Sequence, residues 1–345
     1  MTRRILVAMS GGVDSSVAAA LLIDQGHEVV GVTLKLWGGA SDSGCCSVAD
    51  VDDARRVAQQ LGIDHWVLNF ADEFESAVVS PYAEAHAAGR TPNPCIECNR
   101  HFKFGHLLER ARKLGFDAVA TGHHARVAPA PNGRLRLLRG ADSAKDQSYV
   151  LHMLGQSELS RCLFPVGEIT KAEVRGRASA LGLRTADKPE SQDVCFITAS
   201  AGRKAFLEPR IALHAGTVVD RAGATLGQVE AVELVTVGQR RGLGAGGGGA
   251  KRYAVAVDTA TATVTAGSLD ELMTDRVELD ELSWVDAPLA APADIEVQCS
   301  AHGAPVAARY EGGTVHFGDP HRRVAPGQSV VLYRGAEVIG GGLAV

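Results

Sequence analysis

No apolar run in the sequence approaches the roughly 20 residues that a membrane-crossing helix requires, so no membrane partner is expected. The apolar stretch near the N-terminus, Ile5 to Met9, is too short for a signal peptide and runs straight into a glycine turn, which points to a cytoplasmic protein. Internal repeats and coiled-coil heptads are missing. Basic charge is not in excess: 35 Lys and Arg against 40 Asp and Glu leave a net charge of −5. That argues mildly against a nucleic-acid partner but excludes none, because binding needs a local basic face rather than a basic total. Seven cysteines do not make a disulfide scaffold in a cytoplasmic chain of 345 residues; catalysis, metal binding or packing remain for them. A second Cys-x-x-Cys pair is also lacking, which speaks against structural zinc.

What is present is ordinary for a globular protein, 46% hydrophobic and 22% charged, and the length predicts two or three domains. The first part alternates short β-rich runs with helical stripes, the mark of an α/β domain with a parallel sheet. Strands are predicted at Ile5–Met9, Glu28–Trp37, His65–Phe70 and Phe116–Thr121. Helices are predicted at Val13–Gln25, Val48–Leu61, Asp72–Ala88, Phe104–Leu114 and Lys171–Leu181. Gly89–Asn99, opened by Gly89, Pro92, Asn93 and Pro94, reads as a loop, and Arg126–Arg139 as a hairpin. After Phe206 helical stripes give way to short Val/Thr/Leu runs punctuated by Gly. The expected division is 1–205, a nucleotide-binding domain; 206–275, a small β-rich domain; and 276–345, a β-barrel-like domain. Gly242–Gly249 reads as a loop. Basic clusters occur at Arg90 to Lys113, at Arg134, Arg136 and Arg139, and at Arg240, Arg241, Lys251 and Arg252; composition alone assigns them to solvated faces.

The strongest motif is Ser10-Gly11-Gly12-Val13-Asp14-Ser15-Ser16, between the first strand and the first helix. Its glycines let the backbone approach a ligand, and the N–H groups at the helix start favour an anion. Ser10, Ser15 and Ser16 add hydroxyls, and Asp14 is placed to hold a magnesium ion against phosphates. It is neither a Walker loop nor a dinucleotide fingerprint. It resembles the pyrophosphatase loop (PP-loop) of enzymes that split ATP into AMP and pyrophosphate. By itself the loop does not choose among adenylating enzymes. His123 and His124 follow a strand end beside Gly122, where ligand contacts in open α/β sheets lie.

Five further segments accompany the loop: Arg90–Asn99 (RTPNPCIECN) with Phe102-Lys103-Phe104; Thr121-Gly122-His123-His124; Lys145-Asp146-Gln147-Ser148-Tyr149; Ser191–Ile197 (SQDVCFI); and Thr236–Gly244 (TVGQRRGLG). In order and spacing, over nearly the whole chain, they resemble the bacterial tRNA-specific 2-thiouridylases. The resemblance implies conversion of a tRNA wobble uridine to 2-thiouridine: ATP adenylates the C2 oxygen, and a sulfur nucleophile displaces AMP. It implies Cys195 as persulfide carrier and Cys98 as its catalytic partner, through a transient disulfide between them. It places ATP at Ala8, Met9, Ser10, Gly11, Gly12, Val13, Asp14, Ser15, Leu34 and Gly122. It places the target base at Asn93, Pro94 and Cys95, and tRNA at Lys145, Asp146 and Gln147. A sulfur-donor protein, such as a cysteine desulfurase or a relay protein, is an implied partner.

The chain departs from the better-known members of that family in two places. Cys95 stands where they carry an aspartate proposed as a general acid or base. Arg309-Tyr310 is the candidate for an Arg-Tyr dipeptide near the RNA, in a stretch whose flanks suggest a shortened loop. Cys95, Cys98 and Cys195 supply three thiols, one short of the four that close a [4Fe-4S] cluster. An open-site cluster carrying hydrosulfide therefore stands beside the persulfide route as an alternative. Cys162 and Cys299 read as packing residues, and adjacent Cys45 and Cys46 are left without a role. Two other readings stand beside this one: another adenylating ligase, which leaves Cys98 and Cys195 without a task and lacks a glutaminase domain, and a nucleotide- or zinc-binding module without turnover.

Overall fold

The computed structural model describes residues 2–37, 47–189, 194–197, 202–244 and 251–345. Cys45 and Cys46, residues 191–193 of the SQDVCFI motif and most of the glycine loop lie outside the described residues.

Strands β1 (Arg4–Ala8), β2 (Glu28–Lys35), β3 (His65–Asn69), β4 (Ala118–Ala120) and β7 (Cys162–Leu163) form a parallel sheet in the order β3-β2-β1-β4-β7. Alternation along β1 explains how it is covered on both faces. Leu6 enters one apolar cluster with Val32, Phe74 and Phe102, while Ile5 and Val7 enter another with Val17, Val57 and Val174. Helix α1 (Val13–Asp24) carries buried residues nearly all round, as expected of a helix packed between the sheet and outer helices. Helix α2 (Val48–Leu61) starts where Ser47 Oγ accepts from Asp50 N at 3.1 Å and stops at Gly62, whose φ of +70° suits a left-handed cap.

The expected loop at Gly89–Asn99 is in part helix. Asn93 Oδ1 accepts from Cys95 N at 3.0 Å and starts a helix at Pro94 that runs as Pro94–Cys98, widens through π-helical turns over Asn99–His106 and ends as Leu107–Lys113. The turn formers were therefore a helix start, with an Asn cap and Pro in the first turn. Asp72–Ala88 is likewise helical but contains π turns at Glu75–Val79.

The remaining chain is β-rich, as expected. Strands β8 (Gly216–Val219), β9 (Thr225–Val229), β10 (Tyr253–Asp258) and β11 (Thr263–Gly267) make a four-stranded sheet. Six strands close a barrel: β12 (Met273–Trp284), β13 (Ala293–Gln298), β14 (Val306–Glu311), β15 (Thr314–Arg322), β16 (Ser329–Arg334) and β17 (Glu337–Ala344), with β12 pairing both β15 and β17. The Arg126–Arg139 hairpin, β5 (Ala125–Pro129) and β6 (Leu135–Arg139), adds to this barrel rather than to the parallel sheet. Leu138 pairs with Glu337, Leu137 with Val338, and Arg139 N donates to Ala336 O at 2.8 Å. Leu137, Tyr149, Phe164, Val331 and Tyr333 then share one core, each such buried side chain contributing roughly 1.5–3 kcal/mol. The N-terminal unit and the barrel are thus joined through a common core.

Candidate functional site

At the C-terminal end of the parallel sheet the strand order reverses between β1 and β4, and the loops after these two strands part there, as ligand crevices in open α/β sheets do. A cavity of about 320 Å³ opens at this point. Ala8, Met9, Ser10, Asp14 and Ser15 line it from the first loop, Leu34 from β2 and Gly122 from the second loop. Two close approaches shape it. Gly11 has φ +72°, and a Cβ there would stand 2.3 Å from Asp50 O. A Cβ on Gly122 would stand 2.6 Å from Ser15 N. Both positions exclude a side chain, so Gly11 packs backbone to backbone against the start of α2 and Gly122 against Asp14 and Ser15 of the first loop. Inside the first loop Ser10 N donates to Ser15 Oγ at 3.2 Å, and Ser16 Oγ donates to Gly12 O at 2.8 Å.

Asp14 is the charged centre. Lys171 Nζ binds both its carboxylate oxygens, at 2.7 and 2.6 Å, and His124 Nε2 lies 3.1 Å from Oδ1. Burial alone would push the Asp14 carboxyl up; the bonds from His124 and Lys171, with the lysine charge, hold it below the usual carboxylate range. Magnesium usually binds through one or two carboxylates together with substrate phosphates, and Asp14 is suited to be such a ligand once Lys171 gives way. Lys188 braces the loop from the other side, donating to Gly11 O at 3.0 Å, Asp50 Oδ1 at 2.6 Å and Asp53 Oδ2 at 2.7 Å. His123 is buried against Phe104 and Phe164, and burial lowers its pKa well below the ordinary value, so the ring is neutral.

The opposite wall carries cysteines. Pro94, Cys95, Cys98, Asn99, Val194 and Cys195 line the same cavity, with Cys98 buried and Cys95 and Cys195 half-buried. Two segments about a hundred residues apart in sequence are therefore brought to one space. Among the described residues no three His, Cys, Asp or Glu side chains are grouped to hold a metal ion. Cys95, Cys98 and Cys195 all line the one cavity. Cys162 and Cys299 pack elsewhere, and burial raises both thiols, that of Cys299 to about 12, which suits inert packing.

The other expected residues lie at several places in the fold. Asn93 is absent from the cavity lining and caps a helix. Asp146 points into the fold: it accepts from Gly140 N, Ser148 N, Ser148 Oγ and Arg139 Nη1 at 2.7–3.0 Å. Gln147 Oε1 accepts from His124 N at 3.0 Å and so supports the Asp14 partner, and Lys145, Asp146 and Gln147 all line the cavity. Tyr310 is 5% exposed in the barrel core, edge-on to Trp284, and Arg309 pairs with Asp294 on the outside; neither lines the cavity. Arg139 is no solvated base either. It lies 3.6 Å over the Tyr333 ring and bonds Asp146 and Gln298, clamping hairpin to barrel. The barrel in turn lends Ala301 and His302 to the cavity wall.

Sequence reasoning missed Lys171, Lys188, Asp50, Asp53 and Asn99. Lys171 left one signal: it opens a helix capped by Thr170, where the macrodipole disfavours a cation, so a carboxylate partner is called for. Lys188 precedes a proline outside any periodic stretch and left none.

A parallel sheet whose glycine–serine loop, braced by Lys171 and Lys188, faces Cys95, Cys98 and Cys195 across one cavity defines an α/β protein of the nucleotide-binding class. Residues 3–199 match the family described as tRNA methyl transferase HUP domain, 204–268 its PRC-barrel domain and 274–344 the aminomethyltransferase beta-barrel domain. Curated relatives named tRNA-specific 2-thiouridylase MnmA include one from Roseiflexus castenholzii, 46% identical over 98% of each chain. Another, from Chloroflexus aurantiacus, is 48% identical over 98% of this chain and 97% of its own. A solved 4-thiouridine synthetase in complex with RNA and ATP is 18% identical over 56% of this chain and 44% of that one, with a TM-score of 0.38. The chain belongs to the tRNA-specific 2-thiouridylase family.

Proposed function

We propose that this protein uses ATP to convert the wobble uridine of tRNA to 2-thiouridine by a persulfide route. The observation that carries the reading is the shared cavity: the Ser10–Ser15 loop and Asp14 on one wall, Cys98 and Cys195 on the other. The loop N–H groups and Lys171 receive the phosphates, and Asp14 is the carboxylate that holds magnesium, which neutralises phosphate charge when bound. The uracil O2 attacks the α-phosphorus, pyrophosphate leaves, and C2 becomes electrophilic with AMP as leaving group. The terminal sulfur of a Cys195 persulfide bonds to C2 and AMP departs. Cys98 thiolate then attacks Cys195 Sγ, breaking the S–S bond to the transferred sulfur, which remains on C2 as the thiocarbonyl. The new Cys98–Cys195 disulfide is reduced by an external dithiol before the donor protein reloads Cys195.

Substrate access requires the base to leave the anticodon stack. Lys145 contacts a phosphate of the anticodon loop, a role supported by its position in the cavity wall. ATP–pyrophosphate exchange with and without bulk tRNA tests the first half: exchange should depend on tRNA. Exchange without RNA favours a ligase of the same loop class, and none under any condition removes adenylation altogether.

A further inference from the structure

Asn99 is 2% exposed, yet its Oδ1 has no hydrogen-bond partner among the described residues. The amide orientation is set, because Nδ2 donates to Val150 O at 2.9 Å, so the oxygen is the group left over. Buried polar atoms are nearly always satisfied, and an exception at a site calls for a ligand. Asn99 lines the cavity beside the thiols. On the helical run from Pro94, Cys95, Cys98 and Asn99 stand at i, i+3 and i+4 and so share one face.

We propose that Asn99 reads the target base by accepting a hydrogen bond from uracil N3–H, an inference that rests on the thiolation reading above. The chemistry of the base supports this donor over others in the cavity. C2 is the reacting carbon and N3 is bonded to it, so a base whose C2 faces the cysteines offers N3–H to an acceptor next to Cys98. The adenine amino group is the other donor available, but it lies at the far end of the nucleotide from the phosphorus that O2 must reach. Cytosine has an acceptor at N3, which would face Asn99 Oδ1 acceptor to acceptor. Asn99 is therefore a specificity-determining contact for uridine over cytidine. A site built to bond a substrate N–H rejects an analogue lacking it far more strongly than an apolar pocket rejects a change of size.

The test compares full-length parent and Asn99→Ala on tRNA carrying uridine, cytidine or N3-methyluridine at the target position, reading kcat/KM for sulfur incorporation. The parent should prefer uridine over both analogues by about 100-fold or more. Asn99→Ala should lose roughly 10- to 100-fold on uridine, and its preference over cytidine should shrink at least about tenfold, since the two losses share one bond. If Asn99 serves only to hold Val150, the variant loses activity on all three RNAs in proportion, and unchanged ratios overturn the proposal. Should the variant not fold, the parent alone decides, for equal rates on uridine and N3-methyluridine also overturn it. A parent that adds no sulfur to uridine tRNA overturns the thiolation reading itself, and the inference falls with it.

Discussion

Asp14 and Lys171 stand 157 residues apart in sequence, and the lysine Nζ lies 2.7 and 2.6 Å from the two carboxylate oxygens. The pair fastens the start of α1 to the Lys171–Ala180 helix and sets a cation beside the loop that the proposed function assigns to the phosphates. Lys171→Met should lower tRNA-dependent ATP–pyrophosphate exchange by about 100-fold, the usual cost of removing one electrostatic donor from a reacting charge. Circular dichroism should be unchanged. Exchange within about threefold of the parent would place the phosphates elsewhere.

The glycines give a second, purely steric prediction. Gly122→Ala forces a Cβ to 2.6 Å from Ser15 N, so the nucleotide loop must shift. The apparent KM for ATP should rise at least about tenfold, since small misplacements of binding groups are costly. Gly176→Ala, whose Cβ meets nothing within 4 Å, serves as the control. It lies inside a helix and should stabilise the protein by about 0.5–1 kcal/mol in urea unfolding without changing KM. Equal KM values for the two variants would contradict the packing described for the loop.

The thiols divide into two groups. Cys98→Ser and Cys195→Ser should each eliminate thiolation while leaving pyrophosphate exchange intact, because adenylation precedes sulfur transfer. Cys162→Ser and Cys299→Ser should keep turnover and lose about 1–3 kcal/mol of stability, the cost of placing a hydroxyl in an apolar site. Cys95→Asp should bind no iron after anaerobic reconstitution, and neither should the parent. Iron retained by the parent and lost in Cys95→Asp would restore the cluster route.

Buried histidines predict an acid limit. Burial lowers His86 and His152 from 6.5 to about 4. His86 is enclosed by Tyr82 edge-on, the Glu233 carbonyl and the Arg203 charge; His152 by the Tyr149 carbonyl and the Arg100 charge. Both rings stay neutral in the fold while the unfolded chain takes up protons below about pH 6.5. Stability is therefore full above about 6.5 and lost as pH falls toward 4, on the order of 3 kcal/mol per histidine. Urea unfolding between pH 8 and 4.5 checks this, and His86→Gln should show a shallower slope. An identical slope would remove His86 from the account.

The sequence was legible where a local pattern forces the structure. The apolar Ile5–Met9 run and the glycine loop could only be a buried strand feeding a helix, and both cavity walls followed from motifs. It was misleading where one residue type serves two ends: Asn93 and Pro94 signal a turn and a helix start equally well, and only the buried Ile96 and Phe102 faces decide. It was silent on long-range pairing. Nothing local in Arg126–Arg139 reveals that the hairpin extends the barrel at Val338, so Arg139 looked like a surface charge rather than one half of a clamp with Asp146. Lys188 meets Gly11, Asp50 and Asp53, all more than a hundred residues earlier.

The central claim is that ATP and the two thiols act on one uridine in one cavity. Mass spectrometry of tRNA nucleosides, after incubation of unmodified tRNA with the protein, ATP and a persulfide donor, tests it most directly. The account predicts 2-thiouridine that requires ATP and disappears with Cys195→Ser, while Cys299→Ser still produces it. Undiminished 2-thiouridine from Cys195→Ser, or none from the parent with every component present, would contradict it.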